Sequence, residues 1–233
     1  MGPMTTTLIT GANKGLGHEA ARQLLAAGHD VWVGARDPER GRAAAQELGA
    51  RFVQLDVTDD ASVAAAAAEV EAAGGLDVLV NNAGISGGRI PPREVTPDDM
   101  RRVMETNVVG IVRVTQAFVP LLERSANPVI VNVSSGMGSL AVTTDPERLE
   151  STIVGLAYPT SKSAVNMLTT QYAKALPGMR VNAVDPGYTG TDFNEHRGTQ
   201  TVQEGVAAIV AMAQIGADGP SGTFVGRHGT VPW

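Results

Sequence analysis

The stretch "TLITGANKGLGHEAARQLLAAG", residues 7–28, decides the fold. A short β-branched run closes at Thr10, glycines stand at Gly11, Gly15 and Gly17, and an Ala/Leu-rich segment of helical period follows. Small residues between a strand and a helix let backbone amides and the positive helix end approach a pyrophosphate. Three glycines would also serve a plain corner, so the flanking strand and helix are what mark a nucleotide loop.

The same alternation continues outward. Strands are expected at residues 6–10, 30–35, 51–55, 77–81, 128–134, 179–184 and 222–225, with helices between them. "VLVNN" and "VIVNVSS" are apolar at successive positions, the mark of strands covered on both faces. The expected fold is therefore α/β: a single-domain, Rossmann-like, doubly wound structure with a seven-stranded parallel sheet flanked by helices. The cofactor-binding half spans about residues 4–135 and the catalytic and substrate half about 136–233, within one domain covering 1–233. Thr96 caps a helix that starts at Pro97 and runs to about Leu122, and residues 62–73 form an Ala-rich crossover helix.

Bulk composition narrows the function. The chain has 233 residues, a net charge of −6 and no cysteine, which removes disulfides, thiolate nucleophiles and Cys-based zinc sites. Acidity, with no run of basic and aromatic residues, argues against nucleic acid. His18, His29, His196 and His228 are scattered, and no metal site is expected. Nothing resembles a signal peptide or a bilayer-spanning run, so a cytoplasmic protein with no membrane partner is expected. Met1 to Pro3 precede a second methionine, Met4, and are left out of the fold reading.

Among 18 basic residues the lysines are Lys14, Lys162 and Lys174. Lys162 lies in "AYPTSKSAV", four places after Tyr158 and on the same helical face. A phenol must fall from about 10 by roughly 3 pKa units to act efficiently near neutrality, a differential of about 4 kcal/mol. One cation at about 4 Å supplies that only at an effective dielectric near 20, so the pair needs a cleft largely closed to water.

The spacing Gly-x-x-x-Gly-x-Gly, "NNAG" at 81–84 and "YPTSK" at 158–162 together resemble the short-chain dehydrogenase/reductase family over nearly the whole chain, and NADPH-dependent carbonyl reductases within it. The resemblance implies a hydride transfer between NADP(H) and a small-molecule carbonyl or alcohol: a ketone, aldehyde or quinone. It implies that Tyr158 is the general acid, assisted by Lys162, Ser135 and Asn107. Asn107, a poor helix former, interrupts an apolar helix. Cofactor contacts are implied at Gly11, Asn13, Lys14, Gly15, Leu16, Gly17, Arg36, Asp56, Val57, Asn82, Ala83, Gly84, Tyr158, Lys162, Pro186, Gly187, Thr189 and Thr191. Arg36 follows Ala35, where an NAD-binding chain places an acid, so a 2′-phosphate is favoured; Asp37, before Pro38, reads as a turn residue. Asp56 reads equally as an adenine contact or a cap of the next helix. Tyr188 and Phe193 are candidates for the substrate pocket.

Residues 140–155 lengthen the usual spacing between Ser135 and Tyr158 and form either a pocket wall or a cover for a helix face used in assembly. Monomer and homo-oligomer both remain open, as does the seat of the terminal "GRHGTVPW". A non-catalytic NADPH sensor is the competing function, disfavoured by four filled catalytic positions. A nucleotide-sugar epimerase would need another glycine spacing and a longer C-terminal region.

Overall fold

The computed structural model describes residues 4–233; Met1 to Pro3, set apart in the sequence reading, lie outside the described residues. Strands β1 (Thr6–Thr10), β2 (Asp30–Ala35), β3 (Arg51–Gln54), β4 (Val78–Asn81), β5 (Val129–Val133), β6 (Arg180–Asp185) and β7 (Phe224–Gly226) pair in parallel. Their order is β3-β2-β1-β4-β5-β6-β7, with β8 (Gly229–Thr230) joined antiparallel to β7. The sheet thus has eight strands rather than the expected seven parallel ones, because the tail folds back at residues 227–228 as a hairpin.

Chain order reverses between β1 and β4, which opens a crevice at the carboxyl ends of these strands. Helices α1 (Gly15–Ala26), α2 (Pro38–Leu48), α3 (Asp60–Ala72), α4 (Pro97–Met104), α5 (Gly110–Leu122), α6 (Leu140–Thr144), α7 (Ala157–Ala175), α8 (Val202–Gly205) and α9 (Ala207–Ala213) flank the sheet. One core layer gathers Ile9, Leu24, Val33, Val131 and Ile209, the other Leu8, Val53, Leu79, Phe118 and Ile130. Neighbouring strand residues, Leu8 and Ile9 or Ile130 and Val131, serve opposite layers, which explains why these strands carry apolar residues at successive positions.

The expected helix from Pro97 to Leu122 is one rod with a fault in it. Residues Glu105–Val109 form a π turn centred on buried Asn107 and join α4 to α5. Asn107 Oδ1 accepts from Ile85 N at 2.8 Å, and its Nδ2 donates to Ile85 O at 2.9 Å and Ser161 Oγ at 3.0 Å. The side chain tethers the rod to the segment after β4 and to α7 at once. At the C-terminus, Trp233 stacks on Phe224 at 5.4 Å and its carbonyl accepts from Ala141 N at 3.2 Å, so the tail docks on this chain's own fold.

Candidate active site

The glycine loop leaves an anion cradle. Helices α2, α3 and α4 are capped by Asp37, Asp59 and Thr96. Helix α1 has neither a capping side chain nor an acid in its first turn. Its first amides and positive dipole end therefore remain available to a phosphate. Gly11 and Gly15 hold left-handed φ values of 65° and 58°. A Cβ on Gly17 would lie 2.5 Å from Asn82 Nδ2 and 2.8 Å from Gly11 O. This loop fits a dinucleotide pyrophosphate, with Asn13 half-buried beside it and Leu16 packed on the core.

The "NNAG" residues brace the loop. Thr10 Oγ1 accepts from Asn82 N and Ala83 N, each at 2.9 Å, and Asn82 Nδ2 donates to Thr10 O at 2.8 Å. Asn81, fully inside the sheet, donates to Asn132 Oδ1 at 2.9 Å, and Asn132 passes the network to Thr169 at 3.0 Å. A Cβ on Gly11 would meet Ala83 Cα at 3.0 Å, and one on Gly84 would meet Asn107 Oδ1 at 3.3 Å and Lys162 Nζ at 3.8 Å. Ala83 and Gly84 therefore stand between the glycine loop and the lysine.

Beyond β2, Arg36 is exposed, while Asp37 accepts from Glu39 N and Arg40 N at 3.0 and 3.1 Å and so caps α2. Asp56 is not a helix cap: Asp59 takes that role, and Asp56 instead accepts from Thr58 N at 2.9 Å and Thr58 Oγ1 at 2.7 Å. Buried Val57 packs under Gly110 at the start of α5. The Lys14 ammonium donates to Asp192 at 3.0 Å.

Tyr158 and Lys162 sit in the first turns of α7, on one face as their spacing requires. Lys162 is 5% exposed, and its Nζ donates to Val133 O at 2.7 Å and stands 5.6 Å from the Tyr158 ring centre. Ser134 donates to Asn166 Oδ1 at 2.5 Å and belongs to the scaffold, whereas Ser135 Oγ accepts from Met137 N at 3.2 Å and its hydroxyl lowers the pKa of Tyr158. The 3-10 turn Gly136–Gly138 then presses on α7, where a Cβ at Gly138 would lie 2.5 Å from the Lys162 carbonyl carbon.

The electrostatics depart from the expected depressed phenol. Burial pushes Tyr158 up to about 12; the Ser135 hydroxyl pulls it down and the Asp185 carboxylate pushes it further up. Burial also lowers Lys162 to about 8. The low dielectric that was expected to strengthen the lysine's pull penalises the phenolate more, and the ammonium is directed at Val133 O. A phenol held protonated is a proton donor at neutral pH.

The segment after β6 closes the far side. Thr189 is buried, donating from Oγ1 to Pro186 O at 3.0 Å, and Thr191 Cγ2 would stand 3.9 Å from a Cβ on Gly15. Gly187 takes φ 70° and donates its N–H to Asp185 Oδ1 at 3.0 Å. Phe193 tilts over Tyr158 with ring centres 5.4 Å apart, and Tyr188 is half-buried nearby in sequence. The inserted residues 140–155 form α6 and the 3-10 turn Leu149–Thr152. Glu150 Oε1 and Asp185 Oδ2 lie 3.0 and 3.2 Å from the position of a Cβ on Gly136, so the insertion packs on the turn that follows Ser135. Sequence reasoning missed Glu150, Asp185 and Asp192; the only signal was an acid directly before "PG". Among the described residues there is no group of three or more metal-ligating side chains, and no helix is long and apolar enough to cross a membrane.

Fold and site together define a Rossmann-like oxidoreductase. A profile of the family described as short chain dehydrogenase matches residues 5–201, and the chain belongs to that family. The NADPH-bound crystal structure of carbonyl reductase from chicken fatty liver is similar at a TM-score of 0.86 and 32% identity, covering 99% of each chain. Salutaridine reductase from Papaver somniferum superposes with a TM-score of 0.83 at 31% identity, covering 94% of this chain and 99% of that one. Short-chain dehydrogenase/reductase 1 of Saponaria officinalis is 34% identical over 287 residues, covering 97% of this chain and 95% of its own. That alignment is longer than the present 233 residues, so the plant protein carries at least 54 positions without a counterpart here.

Proposed function

We propose that the protein is an NADP(H)-dependent reductase of small carbonyl compounds. The observation that carries this reading is the close spacing of Gly11 to Ala83 and of Gly84 to Lys162, where an added Cβ would lie 3.0 Å from Ala83 Cα and 3.8 Å from Lys162 Nζ, so that the glycine loop and the buried ammonium are neighbours. The amides of Gly15 to Gly17 would hold the pyrophosphate, Arg36 would meet the 2′-phosphate, and Tyr158 with Lys162 would hold the nicotinamide ribose. Asp56 and Val57 would border the adenine, and Pro186, Gly187, Thr189 and Thr191 the nicotinamide.

The cofactor, when bound, supplies the hydride. Tyr158 gives its proton to the carbonyl oxygen as negative charge develops there, and Ser135 donates a hydrogen bond to the same oxygen. Lys162 supplies the positive charge that makes the phenolate tolerable after transfer and returns the proton through water. Asn107 positions this relay by tying the π turn to Ile85 and Ser161. The short segment 188–200 offers little material for a large substrate lid, which suits ketones, aldehydes and quinones of modest size.

NADPH absorbance followed against a panel of such carbonyls tests the proposal. Tyr158→Phe is expected to abolish turnover while NADPH binding stays nearly intact; activity within tenfold of the parent would refute the assignment.

A further inference from the structure

The segment after β6 touches both halves of the site through two neighbouring residues. Asp192 accepts from Lys14 Nζ of the glycine loop at 3.0 Å and bonds His196 Nε2 at 2.9 Å. Phe193, the next residue, lays its ring 5.4 Å from that of Tyr158. The turn presenting them is strained: Glu195 and His196 both take φ 58°, the only non-glycine residues with positive φ among those described. Strain of this kind persists only where contacts hold it, here Asn194 Nδ2 to Thr189 O at 2.8 Å, His196 N to Thr191 O at 2.9 Å, and the Asp192 ion pair.

A carboxylate has therefore taken the ammonium that the phosphate-binding loop offers. We propose that residues 191–198 form a latch in which Asp192 occupies Lys14 as an internal stand-in for a nucleotide phosphate. Phosphate binding at Lys14 displaces Asp192 and draws Phe193 away from Tyr158. The inference rests on the NADP(H) reading for its ligand but not for the ion pair itself. Both partners of the pair are more than half exposed, at 61% and 59%, so the bond is weak enough for a ligand held by further contacts to displace it. The coupling is reciprocal: what Asp192 takes from phosphate affinity, phosphate takes from latch closure.

Two measurements on the full chain test this. Without added nucleotide, trypsin cleavage after exposed Arg197 is expected to run about two- to fivefold faster in Asp192→Asn, the range of an exposed ion pair. Adenosine 2′,5′-bisphosphate, a probe lacking the nicotinamide, is expected to bind Asp192→Asn about two- to fivefold more tightly than the parent. That difference should vanish when Lys14→Gln is added, and the probe should speed cleavage of the parent. Unchanged cleavage in Asp192→Asn overturns the latch whether or not nucleotide binds. A parent that does not bind the probe overturns the NADP(H) reading, and phosphate release with it. Tighter binding that persists in the Lys14→Gln background overturns competition for Lys14.

Discussion

Replacing Lys162 by methionine should stabilise the protein at neutral pH while destroying its activity, and the gain should disappear in alkali. The amine is 5% exposed, with Val133 O its hydrogen-bond acceptor at 2.7 Å, and burial lowers it from 10.5 to about 8. At 1.36 kcal/mol per unit, holding this charge costs the folded state about 3 kcal/mol at pH 7. Methionine removes that penalty but leaves Val133 O without its donor, at about 1–3 kcal/mol. The net is a gain of about 1 kcal/mol at pH 7, or about 2–4 °C in Tm for a chain of this size. The folded-state pKa lies below the unfolded one, so between about 8 and 10.5 the unfolded chain binds more protons and parent stability rises with pH. By pH 10 most of the penalty is gone, and the variant should have lost about 2–3 kcal/mol relative to the parent. Urea unfolding of both proteins at pH 7 and pH 10 measures this. A stability difference that stays constant between the two pH values would refute the buried, destabilised ammonium. Turnover at pH 7 should fall at least about hundredfold, the scale of one acid-base group.

Gly138→Ala should be as damaging as a catalytic substitution although residue 138 touches no substrate. Its Cβ would lie 2.5 and 2.7 Å from the carbonyl carbon and oxygen of Lys162, so α7 must move. Thermal unfolding should show a loss of about 1–3 kcal/mol, with Lys162 displaced and turnover reduced; a variant matching the parent in both would contradict the close packing. Carbonyl reduction should be flat from about pH 6 to 7.5, since the phenol stays protonated up to about 12, and fall above about 8 as Lys162 loses its charge. An acidic limb in that profile would assign proton delivery to another group.

The parallel strands were legible because burial on both faces writes continuous apolar runs, and their observed ends lie within a residue or two of the expected ones. The eighth strand was not, since two residues, Gly229 and Thr230, are too few to show any period. The π turn was half legible. Asn107 is visibly wrong for an apolar helix, yet helical period runs through it unbroken from Pro97 to Leu122. Only its bonds to Ile85 and Ser161, residues 22 and 54 positions away, explain how the fault is held. The acids beside the site were illegible for the same reason. Asp192 reads as one more polar loop residue until the fold brings Lys14, 178 positions away, to 3.0 Å.

Volume and acceptors favour a lysine at 162, in a chain where arginine is the usual cation. The ammonium lies between Val133 O at 2.7 Å and the space a Cβ on Gly84 would fill, 3.8 Å off. An arginine there would bring five fixed N–H donors and a plane needing acceptors on several sides, and unsatisfied buried donors cost about 1–3 kcal/mol each. It would also keep its charge at every accessible pH. An amine lowered to about 8 can lose and regain a proton near neutrality, and so can restore the one Tyr158 gives away. The burial that raises Tyr158 and lowers Lys162 moves the two values apart, so that one site holds a donor that stays protonated and a base that need not. Lys162→Arg should therefore fail even though the charge is kept. If the arginine variant turned over at the parent's rate, proton exchange at residue 162 would have no part in the reaction, and positive charge would be its whole contribution.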